Sequence, residues 1–314
     1  MLSKFLDPKN DVAFKKIFGT EKNKDILIHF LNDMITFKEG WKINEVTFLK
    51  NNLDPETAAQ KTSLVDILCK DEKENYYIVE MQVAREKGFE KRAQYYASKA
   101  YTSQMFVAGE YHQLKEVIFL AIANFVMFPK KQEYKSDHVI LDKKSYENDL
   151  KDYSFTFVEL PKFKKDIDHL SNVIEKWCYF FKHAEETSDE DLKKLIGQDR
   201  IIGKAYKELN RFSWNEKELH TYDQMEKYEG VHIASMAYQY DEGEKIGIEK
   251  GEIIGLEKGE KIGIEKGEKI GIEKGKKIGL IKAAKNLLEQ GLEINSIIAA
   301  TGLSEHEIEF LKNK

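Results

Sequence analysis

From Gly243 to Gly279 glycine stands at every fourth position: 243, 247, 251, 255, 259, 263, 267, 271, 275 and 279. The unit beneath this ladder is eight residues, Gly-Glu-Lys-Ile-Gly-Ile-Glu-Lys. A four-residue spacing lies close to the α-helical turn, so the row forms a stripe along one helix. Each glycine costs about 1 kcal/mol relative to alanine in a helix, so an isolated helix here is marginal. The neighbouring rows favour helix: Lys245, Glu249, Ile253, Glu257, Lys261, Glu265, Lys269, Glu273 and Lys277 follow one another at i+4, and much of that row alternates in sign. The local Ile-Gly-Ile alternation leaves a β-type repeat as the competing reading. A glycine row permits close backbone approach, so the helical reading expects a packed partner helix, and hence a homo-oligomer formed through this tail. With 8 Glu and 9 Lys, the ladder is too nearly neutral for a nucleic-acid arm.

The ladder occupies a small part of 314 residues, and the rest reads as a globular protein. Residues 9–36 read as two amphipathic helices, carrying Val12, Phe14, Ile17 and Phe18, then Ile26, Leu27, Phe30, Leu31 and Met34. Strand-like runs follow at 43–49, 63–70 and 76–83, a helix at about 87–108 (Tyr95, Tyr96, Tyr101, Phe106), and strands at 116–128 and 154–159. The continuous apolar run at 116–128 suits a central strand. This is an α/β order. Residues 166–240 read as a helical lobe, with Trp177, Phe180 and Phe181 in one segment and residues 192–209 in another. The expected divisions are 1–165, 166–240, 241–280 and 281–314, the last a module of three short helices. Its outline is that of a helix-turn-helix, but Glu305, Glu307 and Glu309 on its last helix suit phosphates badly, so a helical packing module is the preferred reading. Ser304 and Glu307 form a capping box there.

Net charge is -5. Nucleic-acid affinity draws on phosphate neutralisation, so a nucleic-acid site here must be a local patch with help from a divalent cation. The two cysteines, Cys69 and Cys178, lack metal-ligand or redox spacing. The N-terminus has no signal-like apolar run, and no uncharged stretch approaches the length of a membrane span. A cytoplasmic protein is expected, without membrane contact.

The segment SLVDILCKDEKENYYIVEMQV (63–83) joins two β-rich runs through a polar turn. A turn centred near Lys73 sets Asp66 opposite Glu80. Strand side chains alternate faces, so Gln82 shares the face of Glu80. A one-residue slip would separate the three. Two carboxylates among Leu64, Val65, Ile67, Leu68, Ile78 and Val79 are costly unless neutralised. A divalent cation does this, with Mg²⁺ preferring hard oxygens, and the Met81 backbone carbonyl is positioned to add a ligand. Taken on spacing alone, Asp66 and Glu80 also read as the exposed polar face of a hairpin.

This segment resembles the active-site hairpin of the PD-(D/E)XK nucleases, in which an Asp is followed on the next strand by Glu-x-Lys. More narrowly, the chain resembles the Rpn family, recombination-promoting nucleases also grouped as PDDEXK-family transposases. The resemblance is carried by DPKNDVAFKKIFG (7–19), VEMQ (79–82), RAQYYASKAY (92–101), GEYHQLKEVIFLAI (109–122), ELPKF (159–163), the KW at 176–177 and the Gly-rich tail. It implies a restriction-endonuclease-like core, a mixed central sheet flanked by helices, and Mg²⁺-dependent cleavage of DNA in recombination or element movement. It assigns metal binding to Asp66 and Glu80 and puts Gln82 at the signature lysine. A lysine can screen a phosphate, whereas a neutral Gln can only orient through its amide. Asp11 is a candidate third acidic ligand, and otherwise a residue favourable to its helix dipole. Arg92, Tyr95 and Tyr96 are candidates for DNA contact. The alternative is a catalytically weak or inactive nuclease fold acting as an oligomeric DNA-binding or interaction module.

Overall fold

The computed structural model describes residues 3–37, 40–51, 64–105, 110–197 and 199–312. Of the segments read above, residue 63, residues 106–109 and residue 198 lie outside them. Two compact units are present, Met1–Ala234 and Ser235–Lys314.

The first unit is built on a six-stranded mixed sheet in the order β1-β2-β3-β4-β6-β5. The strands are β1 (Val46–Phe48), β2 (Ile67–Asp71), β3 (Tyr76–Gln82), β4 (Val117–Ala123), β5 (Lys135–Val139) and β6 (Tyr153–Glu159). β3, β4 and β6 run parallel, and the outer pairings are antiparallel. Every residue of β4 is buried, as its unbroken apolar run requires of a parallel strand covered on both faces. β5 was not legible in the sequence. Its Lys-Ser-Asp-His-Val run lies at a sheet edge, where one side of the strand meets solvent and no apolar period is imposed.

Alternation along the strands divides the core in two. Tyr77, Val79 and Met81 of β3 and Ile118, Leu120 and Ile122 of β4 face one side. There they meet α1 (Asp11–Phe18), α2 (Lys24–Met34), α4 (Val173–His183) and α6 (Arg200–Glu208). Trp177 is fully buried there, its ring 5.2 Å from Phe30 and 5.9 Å from Phe18. The residues expected as a helical lobe thus share a core with the first two helices. The opposite face holds Ile78, Val117, Phe119 and Phe157 against α3 (Phe89–Thr102). α3 buries Phe89, Ala93, Ala97 and Ala100; a stripe of alanines lets the helix lie close on the sheet.

The expected helix at 192–209 is interrupted at Gly197 (φ +49°), giving α5 (Asp189–Ile196) and α6. The ladder is helical, within α7 (Glu216–Glu289). The first of the three expected C-terminal helices is the end of α7 rather than a separate element. α8 (Ile294–Thr301) and α9 (Glu305–Lys312) follow, and Ala284, Ile297, Leu303 and Ile308 form a small core with them. The capping box is made: Glu307 N–H donates to Ser304 Oγ at 3.3 Å, and Ser304 N–H to Glu307 Oε2 at 3.1 Å. Both cysteines are free and buried. Among the described residues, no helix is long and apolar enough to cross a membrane.

Candidate active site

The site begins with a turn. Asp71 Oδ1 accepts from the Lys73 and Asn75 N–H groups at 2.7 and 3.0 Å, and its Oδ2 accepts from the Tyr77 hydroxyl at 2.7 Å. Glu74 takes a left-handed φ of +68°. This fixes the register of β2 on β3: Ile67 faces Val79 and Leu68 faces Ile78. The turn is therefore centred at Lys73, as the spacing predicts.

Asp66 lies one residue before β2, in a bend rather than in the strand itself. The opposition to Glu80 survives because side chain and backbone lock the two segments reciprocally. Asp66 N–H donates to Glu80 Oε1 at 3.1 Å, and Met81 N–H donates to Asp66 Oδ2 at 2.8 Å. A strand residue sends its N–H and C=O from the same edge, so the Met81 carbonyl also leaves on the Asp66 side. Gln82 donates through Nε2 to Glu80 Oε2 at 3.0 Å and accepts at Oε1 from Arg92 Nη2 at 2.5 Å. It bridges a carboxylate and a guanidinium. Arg92, one helical turn into α3, also pairs with Glu86 and lies 6.0 Å from the Tyr96 ring centroid.

These carboxylates are poorly solvated. Glu80 is 3% exposed. Burial, and then the charge of Asp66, pushes its pKa up to about 8. Burial also raises Asp66 to about 6, helped by the charge of Asp11 and opposed by the Met81 N–H, Lys15 and Arg92. Nearby cations therefore compensate only in part. Hard carboxylate and carbonyl oxygens with spare lone pairs are the donors Mg²⁺ selects, and one or two carboxylates plus water suffice for it. Asp66, Glu80 and the Met81 carbonyl fit that ion. Among the described residues, no group of three or more His, Cys, Asp or Glu side chains could hold a metal.

Asp11 is near the pair but is engaged by Lys15 at 2.6 Å. Lys15 in turn stands 3.8 Å from Asp66. Burial works against its charge, but the hydrogen bond to Asp11 and the charges of Asp11, Asp66 and Glu80 outweigh this and raise its pKa. Its i+4 spacing from Asp11 was visible in the sequence, but not that α1 points this face at β3. Tyr96 is half-buried, and burial raises its hydroxyl pKa with Arg92 opposing. Tyr95 is 51% exposed, with Lys99 Nζ 5.2 Å from its ring centroid.

The helical state of α7 follows from the sequence, but the contact of its first turns with α1 does not. Its first turns are tied down beside α1: Asp7 N–H donates to the Tyr222 hydroxyl at 3.0 Å, and Lys16 pairs with Glu218 at 2.6 Å. Further along, Glu229 accepts from the Asp11 N–H, and burial pushes its pKa up to about 7.

No curated protein and no solved structure matches this chain. A family match covers residues 8–238, from just before α1 through these first turns of α7, and that family is described as PD-(D/E)XK nuclease family transposase. With the mixed sheet, the reciprocally locked hairpin and this match in hand, the chain belongs to the PD-(D/E)XK nuclease family transposases.

Proposed function

We propose that this protein is a Mg²⁺-dependent DNA endonuclease of the recombination-promoting type, hydrolysing phosphodiester bonds at the C-terminal end of β3. The carrying observation is the pair of buried Glu80 and half-buried Asp66, two carboxylates with raised pKa values beside hard backbone oxygen. In this reading Asp66, Glu80 and the Met81 carbonyl hold the cation. Bound there, a divalent cation supplies an acidified water and charge stabilisation for in-line phosphoryl displacement. Gln82 holds Glu80 and Arg92 in fixed relation, and Arg92 meets a non-bridging phosphate oxygen through its fork of N–H donors. Lys15 supplies the positive charge that the signature lysine would give and Gln82 cannot. Tyr95 and Tyr96 flank the strand. The direct test is incubation of supercoiled plasmid with the full chain in Mg²⁺, Mn²⁺ or EDTA. Nicking that needs the cation is expected, and none under any metal would overturn the reading.

Lys15→Met is expected to lower the cleavage rate at saturating DNA by about 10²-fold, the scale of one charge-stabilising donor. Single-turnover kinetics would read it. An unchanged rate would remove Lys15 from the chemistry and favour the alternative, a nuclease fold kept for binding.

The ladder supports assembly. A Cβ on any of its ten glycines would meet nothing within 4 Å, so among the described residues no contact requires glycine there. The expected occupant of that stripe is the same helix of a second copy. Light scattering should report at least a dimer. Replacing Gly255, Gly259, Gly263 and Gly267 by Ala should give a monomer, although each change favours helix by about 1 kcal/mol. A monomeric wild type would end this proposal.

A further inference from the structure

A cleft of about 190 Å³ lies beside the carboxylate pair, between the end of β3 and the start of α7. Lys9, Asp11, Gln82, Glu86, Tyr228, Glu229 and His232 are among the residues that line it. Small-molecule sites generally start at about 300 Å³, so this one accommodates a single flat group rather than a whole ligand. Its chemistry narrows that group. Asp11 and Glu86 are already paired, with Lys15 and Arg92, which leaves Glu229 as the acceptor. Glu229, with the Gln82 amide and the His232 imidazole, matches the edge of a neutral base. Carboxylates accept from exocyclic amines, which cytosine and adenine carry and thymine lacks.

An aromatic face stands on the α7 side of the cleft. There the Tyr228 and His232 rings are near-parallel, at 10° with centroids 6.5 Å apart. In a duplex both faces of a base are covered by its neighbours, so aromatic platforms serve unpaired strands. The wall is held in place by the Tyr222 and Glu218 contacts to the segment around α1.

We propose that this cleft takes the unpaired base next to the cleaved bond, so that the preferred substrate is single-stranded or locally opened DNA with cytosine or adenine at that position, contacted by Glu229 and His232 and stacked by Tyr228. The inference rests on the nuclease reading and names its substrate. Base flipping or a pre-opened strand is what a pocket of one-base size demands of DNA.

Fluorescence anisotropy of the full chain with labelled oligo-dC, oligo-dT and a blunt duplex tests it, with plasmid cleavage run alongside. Oligo-dC is expected to bind about tenfold tighter than the duplex and tighter than oligo-dT. Tyr228→Ala with His232→Ala, neither of them in the buried core, should lose about tenfold for oligo-dC and under about twofold for the duplex. Wild-type comparison of the three DNAs needs no variant, so a misfolded mutant cannot obscure the result. Cleavage of plasmid with equal affinity for single strand and duplex, or equal losses on both, would overturn this inference and leave the nuclease reading standing. No binding to any DNA would overturn both.

Discussion

Asp66→Ala is expected to lower cation-dependent cleavage of supercoiled DNA by at least about 10³-fold. The change removes one of two carboxylates proposed to hold the cation, whose charge stabilisation is worth several kcal/mol, and each 1.36 kcal/mol is about tenfold in rate. It also frees the Met81 N–H, whose 2.8 Å bond to Asp66 orients the backbone of the same donor set. The loss should therefore appear in the rate at saturating DNA, while duplex affinity measured without turnover changes little. Quenched-flow or gel kinetics at several Mg²⁺ concentrations would show it. Equal nicking by wild type and variant would assign the cleavage to a contaminant or to other residues.

The second large effect concerns stability and has the opposite sign. Glu80→Gln is expected to stabilise the cation-free protein at pH 8, on the order of a few kcal/mol, since each pKa unit is worth about 1.4 kcal/mol. The ordinary pKa of Glu80 is 4.5, and burial with the charge of Asp66 raises it to about 8. Between those values the native state retains a proton that the unfolded chain has released, so stability is complete below about pH 4.5 and falls as pH rises to about 8. Asp66 adds a smaller loss between 3.8 and about 6. Glutamine removes the Glu80 part of that slope while still accepting from the Asp66 N–H. Urea titrations from pH 5 to 8.5 in EDTA should show a falling midpoint for wild type and a flatter one for the variant. Adding Mg²⁺ should raise the wild-type midpoint through binding to the native state alone and leave the variant nearly unchanged. A wild-type midpoint independent of pH would refute the electrostatic account of this pair.

The two predictions describe one property. A carboxylate kept out of water without full compensation weakens the resting fold and prepares the site for a cation. A variant more stable and less active than wild type is the expected result when a functional group opposes the local rules of burial.

Much of this was written locally. The hairpin register follows from a short polar turn, period-two alternation and an Asp71 side chain that closes the turn onto Asn75 and Tyr77. The face shared by Glu80 and Gln82 follows from the same alternation. The ladder's helical state follows from its i+4 rows, and the Ser304 cap from a three-residue spacing. These features depend on neighbours a few residues apart, so their physics is present in the order of the residues.

What tertiary structure alone decided is which distant groups reach the pair. Lys15 and Asp11 come from α1 and Arg92 from α3, while Glu229 and His232 of α7 line the adjoining cleft, elements far apart in the chain. Helical periodicity gave the face each residue occupies but not the element that face meets. β5 escaped notice because an edge strand needs no apolar alternation. The depth of Glu80, and with it the raised pKa, depends on α3 closing over the end of β3 through its alanine stripe. Sequence therefore determined the locally paired carboxylates and the helical tail, because short-range geometry fixes both. Folding determined their electrostatic environment, because burial and charge are summed over every element that packs around them.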